Sequence, residues 1–345
     1  MTATETTSRP TLAAIAQQAS VSLATVSKVL NGRPGVSSAT RAIVEDLLAA
    51  SGYARRGKPA EAGSVVELVV GSLDTEWSIE IIRGVERVAR EHGYALTLSN
   101  MRDHHEVADD WVSGVLRRRP AAVVLQFSNL TAAHREQLRT RGIPFAVVDP
   151  AGDPPPDVPS VGATNWAGGM SATKHLLDLG HTRIAAIAGP LDMLCASARL
   201  AGYRSALVGA GVTVDERLVA DGEFEREVGE RSALRLLAED PRPTAIVAAN
   251  DLQALGVYDA AQALGLRVPD DLSVVGFDDV APARWARPAL TTVRQPLQEM
   301  AEQATRLALR LQDAPGRMPQ IELATTLEVR GSTAAPSRKF SNQRK

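Results

Sequence analysis

The sequence lacks three features that would place it in common classes of protein. It has one cysteine, Cys195, in 345 residues, so it cannot form an internal disulfide, and we expect neither a thiolate metal site nor a bound cofactor. No run of about 18 apolar residues exists to span a bilayer. The polar, threonine-rich segment 1–10 lacks the apolar core of a signal peptide. These absences predict a protein of the cytoplasm.

Net charge is also small, at −2, and taken alone it does not suggest binding to nucleic acid. The charge is unevenly distributed along the chain, however. Residues 1–58 contain seven Lys and Arg against three Asp and Glu, a net charge of +4, which leaves −6 for the rest. A basic segment on an acidic body indicates a short DNA-binding module joined to a ligand-binding domain.

Apolar spacing predicts three short helices in the basic segment, with Thr11 and Ser22 as N-caps of the first two. The helices are predicted over 12–18, over 23–30, and from Ser37 to Gly52-Tyr53. Their inward-facing side chains are predicted to be Leu12, Ile15, Ala16, Ala19, Val26, Val29, Leu30, Ile43, Val44, Leu47 and Leu48. This is the arrangement of a helix-turn-helix domain, although an ordinary three-helix bundle has the same spacing.

The rest of the chain alternates between strand-like and helical runs in two successive series, 65–148 and 166–277. Such alternation predicts two α/β lobes, each a doubly wound parallel sheet with helices on both faces. Crossings between the lobes are predicted near 162–165, 290–295 and 323–329. Because ligands of these sheets bind at the carboxyl ends of the strands, we expect a binding cleft between the lobes.

These patterns predict four segments. They are a helix-turn-helix headpiece at 1–58, a short linker at 59–64, a two-lobed effector-binding and dimerisation domain at 65–333, and a disordered basic tail at 334–345. Within the two-lobed domain, the first lobe takes about 65–162 and 295–324, and the second about 165–291 and 326–333.

Several short sequences give the chain a specific likeness to the lactose-repressor (LacI/GalR) family. In the headpiece they are TLAAIA at 11–16, ASVS at 19–22, ATVSKVLNG at 24–32 and VSSATR at 36–41. In the body they are HLLDLGH at 175–181, RLAGY at 199–203, ANDLQALG at 249–256, VPDDLSVVGFDD at 268–279 and LTTVRQP at 290–296. The resemblance covers nearly the whole chain. It implies a helix-turn-helix headpiece followed by a regulatory domain with the two-lobed fold of periplasmic sugar-binding proteins.

The resemblance implies that the helix over 23–31 enters the major groove of DNA. Leu23, Ala24 and Lys28 then take the positions that reach base edges, and Lys28 is the natural donor to a guanine. The positions that hold phosphates or stand beside them are Thr11, Thr25, Ser27 and Asn31.

Two headpiece residues depart from the family pattern. Ser20 replaces a usual glycine, which costs about 1 kcal/mol if the position is left-handed. Lys28 replaces a more frequent arginine and so loses a bidentate contact.

The link between headpiece and body departs further from the family. Relatives form a short hinge helix whose leucine wedges into the minor groove, whereas residues 54–64 contain no leucine. Gly57, Pro59 and Gly63 also oppose a helix there. Two interpretations stay open: Arg55 and Arg56 contact phosphates or a narrow minor groove without a wedge, or the segment is only a solvated linker.

Carried over by position, the resemblance implies an effector site built from both lobes. Its residues are Asp74, Trp77, Gln126, Asp149, Arg199, Phe224, Asn250, Asp278 and Gln295. Five of them directly follow apolar strands, where their side chains are expected to project into the cleft. Carboxylates, an arginine and amides can donate hydrogen bonds to vicinal hydroxyls or accept them, and aromatic rings can pack against the faces of a sugar. A mono- or oligosaccharide is therefore the predicted effector, against the alternative that each residue is an ordinary loop polar group or core aromatic.

Catalysis is not predicted. His104-His105 lack partners at metal-binding spacing, and neither Asp109-Asp110 nor Asp278-Asp279 accompanies a nucleophile. We predict a homodimeric repressor that binds a near-palindromic operator and is allosterically controlled by its effector. The alternatives are a sugar-binding transport component, which would have an export signal and no headpiece, and an enzyme that uses this fold.

Overall fold

The computed structural model describes residues 11–30, 35–48, 63–100, 109–126, 130–313 and 318–337. The chain divides into two compact units. Unit 1 comprises 1–64, 109–120 and 130–143, and unit 2 comprises 65–108, 121–129 and 144–345. None of the helices in the described ranges is long and apolar enough to cross a membrane.

The secondary structure elements are these, in chain order: α1 (Leu12–Gln18), α2 (Leu23–Leu30), α3 (Ser38–Leu48), β1 (Gly63–Val70), α4 (Glu76–Glu91), β2 (Ala95–Asn100), α5 (Asp109–Arg118), β3 (Pro120–Gln126), α6 (Ala132–Thr140), β4 (Phe145–Val148), β5 (Ser160–Ala163), α7 (Asn165–Asp178), β6 (Ile184–Ile187), α8 (Leu194–Gly209), β7 (Val219–Ala220), α9 (Arg226–Leu237), β8 (Ala245–Ala248), α10 (Asp251–Ala263), β9 (Ser273–Asp278), α11 (Ala281–Trp285), β10 (Thr291–Arg294), α12 (Leu297–Asp313), β11 (Gln320–Leu323) and β12 (Thr326–Glu328).

Helices α1 to α3 pack around a small apolar core within unit 1. Its fully buried side chains include Ile15, Val26 and Val44. The prediction that Ile43 faces this core is wrong, because its side chain is 54% exposed. At 100° per residue, Ile43 falls off the face of α3 that carries Val44 and Leu48.

The predicted caps and turn of the headpiece are present. Thr11 Oγ1 accepts the Ala14 N–H at 3.3 Å, and Ser22 Oγ accepts the Thr25 N–H at 3.1 Å. Between these helices Ser20 has a φ of 53°, so its backbone is left-handed. The serine in place of glycine therefore carries a strain of about 1 kcal/mol.

The first strand of the body starts close to the end of α5. β1 begins at Gly63, inside the predicted linker 59–64, and the Gly63 N–H donates to the Arg119 carbonyl at 3.1 Å. A Cβ at position 63 would lie 2.2 Å from that oxygen, so the close approach requires glycine. This contact joins the start of β1 to the residue that follows α5.

The predicted α/β class is confirmed by two six-stranded sheets. The first has the order β11-β5-β4-β3-β1-β2, and the second has the order β12-β10-β9-β8-β6-β7. The pairings β1–β2, β3–β4, β4–β5 and β5–β11 are parallel, while β12 runs antiparallel to β10. The short strands β5, β10, β11 and β12 lie at the predicted crossings, where the sequence showed no long apolar run.

The chain crosses between the two sheets three times, after Ala163, Arg294 and Leu323. Helix α12 returns to the first sheet and packs against α4, where Gly84 allows close approach to the Gln298 carbonyl and Ala301. A ligand site is therefore expected in unit 2 where the carboxyl ends of the strands lie near the segments that cross between the two sheets.

The predicted disordered tail is wrong for residues 334–337. The Ala334 carbonyl lies 2.8 Å from His181 Nε2, and the Ala334 N–H donates to Ser273 Oγ at 3.1 Å. The buried His181 ring requires polar partners, and the polar composition used to predict disorder does not reveal that need. Residues 338–345 lie outside the described part of the chain.

Candidate functional site

Helix α2 presents a polar face opposite its buried residues. Leu23, Ala24, Ser27 and Lys28 are exposed, whereas Val26 and Val29 are buried. Thr25 is half-buried, and its hydroxyl lies 2.9 Å from that of Ser22. The predicted base-reading residues therefore share one accessible surface. The predicted contacts Asn31, Arg55 and Arg56, and the pair His104-His105, lie outside the described residues.

A cavity in unit 2 collects side chains from the carboxyl ends of both sheets. It occupies about 570 Å³, part of it open to solvent. Seven of the nine predicted effector residues line it: Trp77, Gln126, Asp149, Arg199, Phe224, Asn250 and Asp278. Its other lining residues are Thr75, Glu76, Cys195, Leu252 and Val280.

Arg199, in the second turn of α8, is the only cation in this lining and is 6% exposed. Its Nε donates to Asn165 Oδ1 at 2.8 Å, and its Nη1 donates to the Ala249 carbonyl at 2.6 Å. Its guanidinium carbon stands 3.8 Å from the centroid of the Phe277 ring. Hydrogen bonds and stacking thus hold the charge in one orientation.

Asp278 and Asp149 lie near this arginine at the ends of β9 and β4. Asp278 Oδ1 is 3.5 Å from Arg199 Nη1 and accepts the Gln295 amide at 2.6 Å. Asp149 is 3% exposed, and its Oδ2 has no hydrogen-bond partner. Burial raises the pKa of each carboxyl to about 6, and Arg199 opposes that rise. The unpartnered oxygen is an acceptor available to a ligand hydroxyl.

The remaining predicted residues have contacts of their own. Asn250 caps α10 by accepting the Gln253 N–H at 2.8 Å, and its amide donates to the Phe224 carbonyl at 3.0 Å. Asn250 therefore positions the aromatic segment as well as lining the cavity. Gln126 pairs with Ser78 Oγ at 3.3 Å, and Trp77 is 9% exposed.

Two predicted effector residues are not brought to the cavity. Asp74 is exposed and interacts with the Ser72 hydroxyl, because it precedes the Thr75 cap of α4 in a solvent-facing turn. Gln295 lies behind Asp278 and holds it, without lining the cavity itself. The described residues contain no group of three or more His, Cys, Asp or Glu arranged to hold a metal ion.

Comparison with known proteins places this geometry in a family. The model described as bacterial regulatory proteins, lacI family, matches residues 11–56, and that of the periplasmic binding protein-like domain matches 173–333. The transcriptional regulator CelR of Thermobifida fusca is 35% identical over 347 residues, covering 94% of this chain and 98% of its own. The ribose operon repressor of Escherichia coli K12 is 34% identical over 331 residues, covering 93% and 99%.

The chain belongs to the LacI family of bacterial regulatory proteins. Two solved structures of similar proteins support the assignment. The CelR–cellobiose complex has a TM-score of 0.71 at 33% identity, covering 94% of this chain and 100% of that one. The lac repressor dimer bound to operator and the anti-inducer ONPF has a TM-score of 0.69 at 26% identity, covering 94% and 99%. This LacI-family chain is a DNA-binding transcription regulator.

Two residues of the cavity region were missed by the motif comparison with the LacI family. Asn165 orients Arg199, and Phe277 stacks on it. Asn165 is the last residue of the predicted crossing 162–165 and lies two residues after β5, so its position near a strand end is a usable signal. Phe277 lies inside a buried strand and its sequence pattern is that of any core residue, so its role depends on the approach of α8.

The buried carboxyl of Asp149, whose Oδ2 has no hydrogen-bond partner, leads to a prediction about stability. Because the pKa of Asp149 is raised, the folded state holds this proton more tightly than the unfolded chain does. The contribution of the protonated carboxyl to the free energy of unfolding is therefore complete below pH 3.8 and is lost as the pH rises through about 6. We expect Asp149→Asn to raise the free energy of unfolding near pH 7 by about 1–2 kcal/mol. A shift of about two pKa units corresponds to about 3 kcal/mol, reduced by the cost of an unpaired amide.

The gain should disappear in acid, and the same variant should bind ligand more weakly because a hydroxyl acceptor is lost. Denaturant unfolding at several pH values measures the first effect. Asp215→Asn is a control of opposite sign, since Arg217 holds the pKa of Asp215 at about 2. Equal stability of wild type and Asp149→Asn across the whole pH range would contradict the prediction.

Proposed function

We propose that this regulator is a repressor whose affinity for its operator is controlled by a neutral mono- or oligosaccharide bound in the cavity of unit 2. The observation that carries the proposal is the buried group Asp149, Arg199 and Asp278, in a cavity lining that also contains the aromatic residues Trp77 and Phe224. Charged donors and acceptors make strong hydrogen bonds to vicinal hydroxyls, and aromatic rings pack on sugar faces.

The charge of the cavity supports a neutral ligand. Three carboxyl groups, those of Glu76, Asp149 and Asp278, outnumber the single arginine of the lining, so an anionic ligand would be repelled when the carboxyls are ionised. The similar proteins also point to sugars, because CelR has been solved with cellobiose and another relative is named a ribose operon repressor. The particular sugar of this chain is not implied by either name.

The operator is contacted, in this proposal, by the exposed face of α2, with Leu23, Ala24 and Lys28 at base edges and Thr25 and Ser27 at phosphates. A homodimer presents two headpieces to a near-palindromic site. The effector favours one of two pre-existing states by its differential affinity for them, which shifts the headpieces relative to the half-sites. As a regulator of transcription, the chain acts in the cytoplasm.

Two rival functions belong to other classes. A transport component would bind sugar but not a specific DNA sequence, and an enzyme would turn the sugar over. The deciding experiment is an operator titration by fluorescence anisotropy with a panel of neutral sugars, combined with product analysis of each bound sugar. Repressor function requires that at least one sugar changes operator affinity and is recovered intact. Unchanged operator affinity throughout the panel, or turnover, would refute the proposal.

Lys28→Ala should weaken operator binding by about 1–3 kcal/mol, because Lys28 is the strong base-edge donor on the exposed face of α2. The loss should be much smaller on non-specific DNA, where phosphate contacts dominate. Competition titrations with operator and scrambled duplexes measure both, and sugar affinity serves as the control. An unaltered operator affinity would contradict the proposal that α2 lies in the major groove.

A further inference from the structure

A second cavity in unit 2 shares Asp278 with the cavity around Arg199, which we call the ligand cavity, but the rest of its lining is different. It occupies about 1070 Å³, part of it open to solvent. Four arginines line it, two from α4, one from α11 and one from the end of β10: Arg83, Arg87, Arg284 and Arg294. The first turn of α12 forms another part of its wall.

The acidic side chains of this second cavity are mostly neutralised by arginines. Glu80 pairs with Arg83, and Asp278 lies beside Arg199. Glu302 pairs with Arg87 in the lining and with Arg306 outside it. Asp279 likewise pairs with Arg284 in the lining and with Arg330 outside it. Of the charged side chains in the lining, Arg294 and Glu299 thus remain without an ion-pair partner among the described residues.

Arg294 differs from the other arginines of the second cavity. It is exposed at the end of β10, and its side chain has neither an ion-pair nor a hydrogen-bond partner in the ranges that the structure covers. A guanidinium of this kind retains all five donors for a ligand. It is adjacent in sequence to the turn that starts α12, so its charge acts beside the amino end of a 17-residue helix.

An independent feature points to a ligand at the same place. Gln295 lines the second cavity and is 3% exposed, and its Oε1 has no hydrogen-bond partner. Its Nε2 is already committed to Asp278 Oδ1 at 2.6 Å. A buried acceptor without a donor is costly, and a ligand hydroxyl would satisfy it.

We propose that the second cavity binds a small phosphate ester that carries a free hydroxyl group. The phosphate is bound by Arg294 and by the N–H groups of Gln298 and Glu299 in the first turn of α12. The Leu297 N–H is not available, because it already donates to the Gln295 carbonyl at 2.9 Å. The hydroxyl donates to Gln295 Oε1. This ligand differs in charge from the neutral ligand of the first cavity, so the two sites are selective for different compounds.

Gln295 connects the two cavities, because the same side chain faces the phosphate ester and holds Asp278. Occupancy of the second cavity therefore changes sugar affinity, within the 5- to 150-fold span typical of coupled sites. This coupling rests on the proposed function, whereas the phosphate site itself does not. By linkage, the sugar changes the affinity for the phosphate ester by the same factor.

Calorimetric titration of the full-length protein with glycerol 3-phosphate tests the site without any sugar. We expect binding at millimolar or lower concentration, weakened at least about tenfold in Arg294→Gln. Arg310→Gln, at the other end of α12, is the matched control and should bind as the wild type does. Absence of binding to the wild type, or equal affinities of Arg294→Gln and Arg310→Gln, would overturn the proposal.

Methyl phosphate, which lacks a hydroxyl, tests the role assigned to Gln295. It should bind more weakly than glycerol 3-phosphate, and equal affinity would overturn that assignment. The coupling is then measured by repeating the sugar titration with glycerol 3-phosphate present. Unchanged sugar affinity would refute the coupling and leave the site intact, whereas failure of every sugar to bind would refute the proposed function and not the phosphate site.

Discussion

Replacing Arg199 with alanine is expected to abolish the response to sugar while leaving operator binding intact. The substitution leaves the buried carboxyls Asp149 and Asp278 without their shared cation, and an uncompensated buried charge costs about 3–5 kcal/mol. Sugar affinity should fall at least about 100-fold, because truncating one member of a buried charge pair removes about 2–5 kcal/mol of binding free energy. The proposed contacts to operator are made by α2, which contains none of these residues.

The experiment combines denaturant unfolding, sugar titration and operator titration of the same preparation. Arg204→Ala is the matched control, since Arg204 lies on α8 but is 41% exposed and pairs with Glu216 at the surface. If Arg199→Ala fails to fold, the double variant Arg199→Ala/Asp278→Asn removes one of the two buried carboxylates left without a cation. It should therefore be more stable than Arg199→Ala. Undiminished sugar affinity in a folded Arg199→Ala variant would show that the ligand binds elsewhere.

The position of the ligand cavity could be predicted from sequence because it depends on a local pattern. Gln126, Asp149 and Asp278 each end a buried strand, and the carboxyl ends of parallel strands share one edge of a sheet. The same rule misplaced Asp74. It lies after β1 but before the cap of α4, where Thr75, Glu76 and Trp77 line the cavity in its place.

Other features depend on partners that are distant in sequence and therefore leave no local pattern. The backbone at Ala334 is ordered by His181 and Ser273, which are more than sixty residues away at the least. Gln295 was predicted as a direct effector contact, but its amide is held by Asp278 and its unpartnered oxygen belongs to another cavity. Its position in the sequence predicted a role in binding but did not show which of the two cavities its side chain lines.

The loop that carries Asp278 has an unusual backbone. Asp278 and Asp279 are consecutive residues with φ values of 107° and 58°. Each such conformation costs about 1–3 kcal/mol in a residue other than glycine and persists only where surrounding contacts enforce it. The next residue, Val280, donates its N–H to Asp251 Oδ2 at 2.9 Å, while the Thr292 hydroxyl donates to Asp251 Oδ1 at 2.6 Å. Asp251 therefore ties this loop to β10.

Asp251 is fully buried and does not line the ligand cavity, so it acts on the ligand only through this loop. Asp251→Ala leaves two buried donors unpaired, and we expect the free energy of unfolding to fall by about 2–5 kcal/mol. Sugar affinity should also fall, by about tenfold or more, because the left-handed backbone that aims Asp278 is no longer enforced.

Asp251→Asn separates positioning from bulk stability. Its carbonyl can accept the Val280 N–H, and its amide can donate to the Thr292 hydroxyl, so most of the sugar affinity should return. Neutral asparagine fits this site because burial, followed by the charge of Asp278, raises the pKa of Asp251 well above its ordinary value. Asp259→Ala removes a half-buried carboxylate of the same helix that pairs with Arg226 on α9, and it should leave sugar affinity unchanged. If folded Asp251→Ala binds sugar as tightly as the wild type does, then β10 and the rest of the fold aim Asp278 without help from Asp251.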